Sequence, residues 1–240
     1  MSEVIKTIFL IIIISTLTSA QYSEGMERLL YEFPHGRPAY SPLVNEIEVA
    51  PRVDLWKNSD MVGAFYNLDM EYAISRKVIL EAGVGFVNTE EALPAFIQES
   101  GLELGGYYTI INHTEFALTF GLESHFQLEN EANDPNKYSF EPMILAATAF
   151  NKFQIHGGIN SEISSSSVKP GFFIGGIYHA GFMRPFVEIL KTNEGAESYI
   201  ITPGIVIPFS GDLHCGIGIP ISNKQAGFTL FVAIEMGEEE

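Results

Sequence analysis

The stretch NEIEVAPRVDL, residues 45–55, sets Ile47, Val49, Pro51, Val53 and Leu55 against Glu46, Glu48, Ala50, Arg52 and Asp54. A two-residue period marks a strand with one apolar and one polar face. The period does not say which face is outside. In a water-soluble sheet the apolar side turns to a core, whereas in a membrane barrel it turns to lipid and the charges face the bore. The alternation recurs along the chain. YNLDMEYAI sets Tyr66, Leu68, Met70, Tyr72 and Ile74 opposite Asn67, Asp69 and Glu71, and EFALTFGLESHFQ sets Phe116, Leu118, Phe120, Leu122 and Phe126 opposite Glu115, Thr119, Glu123 and His125.

Read this way, the chain predicts strands over 44–55, 64–74, 78–87, 101–110, 114–127, 138–150, 153–163, 170–179, 183–192, 198–208, 212–221 and 226–236. Most are near the ~9–11 residues that cross a bilayer at a steep tilt. The segments 138–150 and 170–179 are apolar on both faces, so their register stays open. The connections fall into two classes. Those after even-numbered strands (75–77, 111–113, 151–152, 180–182, 209–211) are all shorter than those after odd-numbered ones (56–63, 88–100, 128–137, 164–169, 193–197, 222–225). Bacterial outer-membrane barrels have tight periplasmic turns and longer outer loops, with both termini on the side of the turns. The expected fold is therefore an all-β, transmembrane, antiparallel up-and-down barrel of about 12 strands. The competing fold is a soluble β-sandwich, whose core also favours aromatics.

The identity of the polar face decides between them. It carries Glu46, Glu48, Asp54, Asp69, Glu71, Glu81, Glu103, Glu115, Glu123, Glu162, Glu188 and Glu235 against only Arg52 and Arg184. A soluble surface usually mixes both signs. Much of the remaining polar parity is small, as at Gly83, Gly105, Thr119, Gly158, Thr202, Gly216 and Gly218. Small residues suit a confined interior better than open water. The other face is large and continuous, with Tyr66, Tyr72, Phe86, Tyr108, Phe116, Phe126, Phe140, Tyr199 and Phe228 near strand ends. That resembles the aromatic girdles of a lipid-facing belt. The candidate bore-lining residues are Glu48, Arg52, Asp69, Glu71, Glu81, Glu103, Glu115, Glu123, Glu162, Arg184 and Glu188. Such a lining favours cations or neutral solutes over anions, and crowded carboxylates tend to hold protons or divalent cations. The same groups could equally bond to one another across a closed interior.

Composition narrows the classes further. Charged residues make up 18% of the chain, below the roughly 25% usual for soluble domains. A net charge of −17 with 13 Lys and Arg excludes a nucleic-acid partner. Cys215 is the sole cysteine, which rules out an intrachain disulfide. The leader VIKTIFLIIIISTLTSA has Lys6, an apolar run from Ile8 to Ile14, and Thr18 and Ala20 at a cleavage site. It reads as a secretory signal peptide over 1–20. Residues 21–43 read as a periplasmic leader or, alternatively, a small plug; 44–236 form the barrel and 237–240 an acidic tail.

No catalytic set emerges. Nucleophile, base and orienting group must lie within reach of one another. Ser124 and His125 are adjacent and point to opposite faces of a strand. Neither IHGGINSE nor DLHC supplies the His-Ser-Asn pattern of outer-membrane phospholipases. The six histidines show no metal-ligand spacing, so neither a metal nor a cofactor is expected.

The passage YIITPGIVIPFSGDLHCGIGIPIS, residues 199–222, resembles the late hairpin of a broad family of outer-membrane transporter barrels associated with the meta-cleavage pathway of phenol degradation. The matching pieces are Pro203-Gly204, the Ser210-Gly211-Asp212 turn and the rhythm Gly216, Gly218, Pro220. The resemblance implies an outer-membrane barrel with an uptake role and no catalytic residues. The final strand GFTLFVAIEM departs from the usual barrel ending, because GEEE follows it in place of a terminal aromatic. The expected function is passive passage of small neutral or cationic solutes, by a non-enzymatic protein exported through a cleaved signal peptide. Its partners are outer-membrane lipid, small solutes and the barrel-assembly machinery. A closed structural or surface-interaction barrel is the alternative, and a lipid-modifying enzyme a distant third.

Overall fold

The computed structural model describes residue 39 and residues 44–57, 62–89, 99–113, 116–128, 138–191, 199–210, 213–223 and 226–236. Twelve strands follow one another: β1 Ile47–Lys57, β2 Val62–Ser75, β3 Val78–Thr89, β4 Glu99–His113, β5 Phe116–Gln127 and β6 Tyr138–Phe150. They continue with β7 Phe153–Ser164, β8 Val168–Tyr178, β9 Arg184–Lys191, β10 Tyr199–Pro208, β11 Leu213–Gly218 and β12 Ala226–Met236. Each pairs antiparallel with its sequence neighbours, and β1 pairs with β12. The sheet therefore closes on itself without an edge. Closure satisfies the backbone between strands, which a bilayer interior demands of any spanning sheet.

The apolar parity faces outward all round. Leu68 and Phe120 are 45% and 47% exposed, and Ile144, Ile174, Ile205 and Leu230 share that outer face. Outward rings gather at both rims. Phe150, Phe153 and Tyr178 pack together beside the tight turns, while the pairs Phe126–Tyr138 and Phe172–Tyr199 sit toward the opposite end. Turn chemistry fits the two-residue links. Asn151 has a φ of 52 in the β6–β7 turn, in the left-handed region. In the β2–β3 turn the Ser75 hydroxyl accepts from the Lys77 and Val78 amides.

Several boundaries differ from the sequence-based expectation. The turn expected at 111–113 is strand instead, because β4 runs to His113. It does so through a bulge between Thr109 and Ile111, where one strand takes an extra residue. The strict length rule for connections does not hold either: 165–167 after β7 is shorter than 179–183 after β8. β11 stops at Gly218 rather than continuing to 221, and Ile221 makes only isolated bridges. Pro220 lacks the amide a ladder needs. Prolines also account for two gaps in pairing. β12 skips Ala50 and Pro51 of β1, and β7 skips Glu141 and Pro142 of β6.

The inside is not uniformly small. Ile177, Phe186, Val206 and Phe231 form one buried apolar cluster, and Ile79, Tyr107, Met143, Leu145 and Phe173 belong to another. The Phe231 ring lies flat on the wall over Gly216, where an added Cβ would come within 2.0 Å of it. Glycine on the polar parity is thus the seat of an inward ring on the next strand. Ala39 also belongs to the second cluster: it is 1% exposed, and its carbonyl accepts from the Thr119 hydroxyl at 2.5 Å. The backbone at residue 39 therefore lies inside the cylinder, a short way ahead of Asn45 at the rim. Its near neighbours, the leader 1–20 and the tail 237–240 fall outside the described residues.

Candidate functional site in the barrel interior

The strand register, more than any sequence motif, assembles the site. Glu235 lies opposite Glu48, Glu48 opposite Glu71, and Glu71 opposite Glu81. Glu81 lies opposite Gly105, Gly105 opposite Glu123, and Glu123 opposite Glu141. One row across β12 and β1–β6 therefore holds six inward carboxylates with a single glycine among them. Because barrel strands tilt, a row perpendicular to them climbs as it goes round, from the rim of β12 and β1 toward the far end of β6.

Directly opposed like charges destabilise a sheet. At the ~5 Å separation of facing positions, with an effective dielectric of about 20, each ionised pair costs roughly 3 kcal/mol before compensation. Four such pairs are opposed along the row, so its neighbours must offset a repulsion that grows wherever the carboxylates face one another. Some compensation is visible. The Tyr107 hydroxyl bridges Glu81 Oε2 at 2.5 Å and Glu123 Oε1. It reaches both because Gly105 sits between them; an added Cβ there would meet Glu81 Cβ at 3.2 Å and Glu123 Cγ at 3.3 Å. His214 Nε2 lies 3.5 Å from Glu235 Oε1.

His125 sits among three carboxylates. Its Nδ1 is 3.5 Å from Glu103 Oε2, and its Nε2 is 3.7 Å from both Glu123 Oε2 and Glu141 Oε2. Glu103 is its direct cross-strand partner. Asn160 on β7 donates to Glu141 Oε1.

The candidates read from sequence distribute as follows. Asp69, Glu71, Glu81, Glu123 and Glu188 are buried on the inward face, while Glu48, Arg52, Glu103, Glu162 and Arg184 are half-buried there. Arg52 pairs with Asp54 at 3.1 Å and lies 5.5 Å over the Phe65 ring; Lys169 pairs with Glu162 at 3.6 Å. Asp69 accepts from the Asn67 amide at 2.5 Å. Glu115 falls outside the described residues. Arg52 stands on β1 and Arg184 on β9. Sequence reasoning missed Glu141, Tyr107 and the bracketing of His125. Glu141 lies in a strand apolar on both sides, and only the pairing of β5 with β6 gives it its place.

The opposite wall has another character. His156 and Gln154 are fully buried and bonded to each other. Thr202 and Thr229 converge on Gly218, each methyl 2.8 Å from where its Cβ would stand. His179, in the β8–β9 turn, has its pKa lowered to about 4 by burial, which disfavours the charged imidazolium. Ser124 faces away from His125 across the strand, so the pair builds no nucleophile and base.

No family model matches the chain, and no curated protein does. Solved structures do. The COG4313 outer membrane channel from Pseudomonas putida F1 superposes with a TM-score of 0.63 at 11% identity, covering 90% of this chain and 100% of that one. The KdgM porin, also solved in complex with disordered oligogalacturonate, gives 0.63 at 8% identity over 79% of this chain and 99% of its own. Outer membrane phospholipase A from Escherichia coli gives 0.52 at 8% identity over 81% and 97%. At such identities the likeness is one of fold: this chain has the closed twelve-stranded barrel found among outer-membrane proteins.

Proposed function

We propose that this barrel sits in a bacterial outer membrane and gives passive passage to small cations and neutral solutes along its carboxylate-bearing wall. The observation that carries the reading is the row Glu235, Glu48, Glu71, Glu81, Glu123 and Glu141 on the inner face, in continuous register with Gly105 between Glu81 and Glu123. A soluble or purely structural protein gains nothing from opposing like charges in a low-dielectric wall, whereas a cation path needs such a lining. Export through a cleaved signal peptide, assembly by the barrel machinery and contact with lipid follow from the same reading. The resemblance of residues 199–222 to a transporter family agrees with it, as does the likeness to solved porins and channels.

A second reading, a closed barrel without transport, is favoured by the two buried apolar clusters, one drawn from β3–β8 and the other from β8–β12, and by Ala39 inside the bore. Planar-bilayer recording separates the two. Under a potassium chloride gradient the refolded protein is expected to conduct, with a reversal potential on the cation-selective side. Glu71→Gln combined with Glu123→Gln is expected to lower the cation-to-anion permeability ratio several-fold. Absence of conductance together with absence of solute flux into liposomes ends the passage reading, and unchanged selectivity in the double variant ends the role of these carboxylates.

A further inference from the structure

We propose that His125, Glu123 and Glu141 form a divalent-cation site of the zinc and manganese type, with Glu103 as the carboxylate behind the imidazole. It lies on β5 and β6 in the half of the bore toward the long connection 128–137.

Both imidazole-to-carboxylate distances suit a shared ion. Nε2 of His125 lies 3.7 Å from Glu123 Oε2 and 3.7 Å from Glu141 Oε2. Two donors sharing a tetrahedral ion through bonds of about 2.1 Å stand about 3.4 Å apart, so each of these two nitrogen–oxygen separations needs to close by only a few tenths of an ångström. As they stand, the separations are too long for hydrogen bonds between them. Nε2 is itself covered and makes no hydrogen bond.

The surrounding groups orient this set. Nδ1 faces Glu103 Oε2 at 3.5 Å. A carboxylate there holds the proton on Nδ1, leaving the Nε2 lone pair for a metal, and raises its basicity. Tyr107 is bonded to Glu123 through Oε1, and Asn160 to Glu141 through Oε1. Each ligand carboxylate is thus tied by a neutral donor through one oxygen while the other turns to the imidazole. Glu103 and Glu123 also bring a carboxylate oxygen within 4.8 Å of the imidazole and of each other. An entry path exists, since the His125 and Glu141 side chains are 34% and 17% exposed.

Donor chemistry selects the ion. Calcium and magnesium prefer all-oxygen shells, whereas an imidazole nitrogen beside carboxylates suits zinc, manganese or ferrous iron. The competing arrangement is an imidazolium held as the internal counterion of three carboxylates. It has the same distances and binds no metal.

Calorimetric titration of the full chain in detergent, chelator-stripped and at pH 7.5, decides with zinc chloride alone as the probe. One zinc ion per barrel is expected, with calcium chloride at least tenfold weaker. His125→Gln is expected to weaken zinc at least tenfold, and Glu103→Gln, which leaves the ligands in place, by ten- to a hundredfold. Retention of the fold is read from the different gel migration of unboiled and boiled protein, and Glu141→Gln serves if another variant fails that check. Three results would overturn the site: no zinc binding, equal affinity for calcium, or zinc binding indifferent to His125→Gln. Binding is read without any flux, so a non-conducting barrel would sink the passage reading and leave this test standing.

Discussion

On β1–β6 the inward positions hold Glu48, Asp69, Glu71, Glu81, Glu103, Glu123 and Glu141, tied by Tyr107 and His125. On β7–β12 they hold Phe173, Ile177, Phe186, Val206 and Phe231, with Thr202 and Thr229 between. The first half carries the carboxylate row and the second the inward phenylalanines, although Ile79, Met143 and Leu145 pack within the first and Glu188 is buried within the second. The packed rings of the second resemble an ordinary core, in which covered apolar surface stabilises the fold. The first tolerates repulsion, which stability alone does not explain.

Substitutions on the two halves should therefore fail in different ways. Phe231→Ala empties the seat over Gly216 and should cost about 3–5 kcal/mol. The readout is a lower temperature at which the unboiled band converts to the boiled one, with ion selectivity unchanged. Gly216→Val attacks the same contact from beneath by driving the ring off the wall, and should cost about 1–3 kcal/mol in the same assay. Across the bore, Glu71→Gln should do the reverse, raising the conversion temperature by the equivalent of about 1 kcal/mol at low ionic strength and by less at high salt. A fall in that temperature would mean that the row is held by bonds rather than strained by repulsion.

The smallest effect lies at His179. Burial lowers its pKa from 6.5 to about 4, so the unfolded chain takes up this proton first as pH falls. Its contribution to stability is full above pH 6.5 and is lost as the pH drops toward about 4. His179→Gln should flatten the pH dependence of unfolding within that window and leave it alone above.

Much of the cylinder was legible in the alternation of residues 45–55, 66–74 and 116–126. Inside and outside there differ in polarity, and a strand's two faces are fixed by parity alone. The outward exposure of Leu68 and Phe120 answers which face is outside. Legibility failed where both faces are apolar. In β6 the inward set is Ser139, Glu141, Met143, Leu145 and Ala147, and nothing in SFEPMILAATA distinguishes it from the outward set. It failed again for His125, whose neighbours come from three strands and are set by register, a property of pairs that no single segment displays. Residues 21–43 read in sequence as a periplasmic leader or a plug; the one described position among them, Ala39, lies within the wall because its carbonyl receives the Thr119 hydroxyl.

The pairing of Glu48 with Glu235 has a consequence for how the molecule is made. These two residues come from opposite ends of the sheet and meet only when the last seam zips. In the unfolded chain they are strangers and their mutual repulsion is absent; it arises at the moment of closure. Dissolved counterions should thus hasten sealing, as they should the β1–β2, β2–β3 and β5–β6 hairpins that also oppose two glutamates.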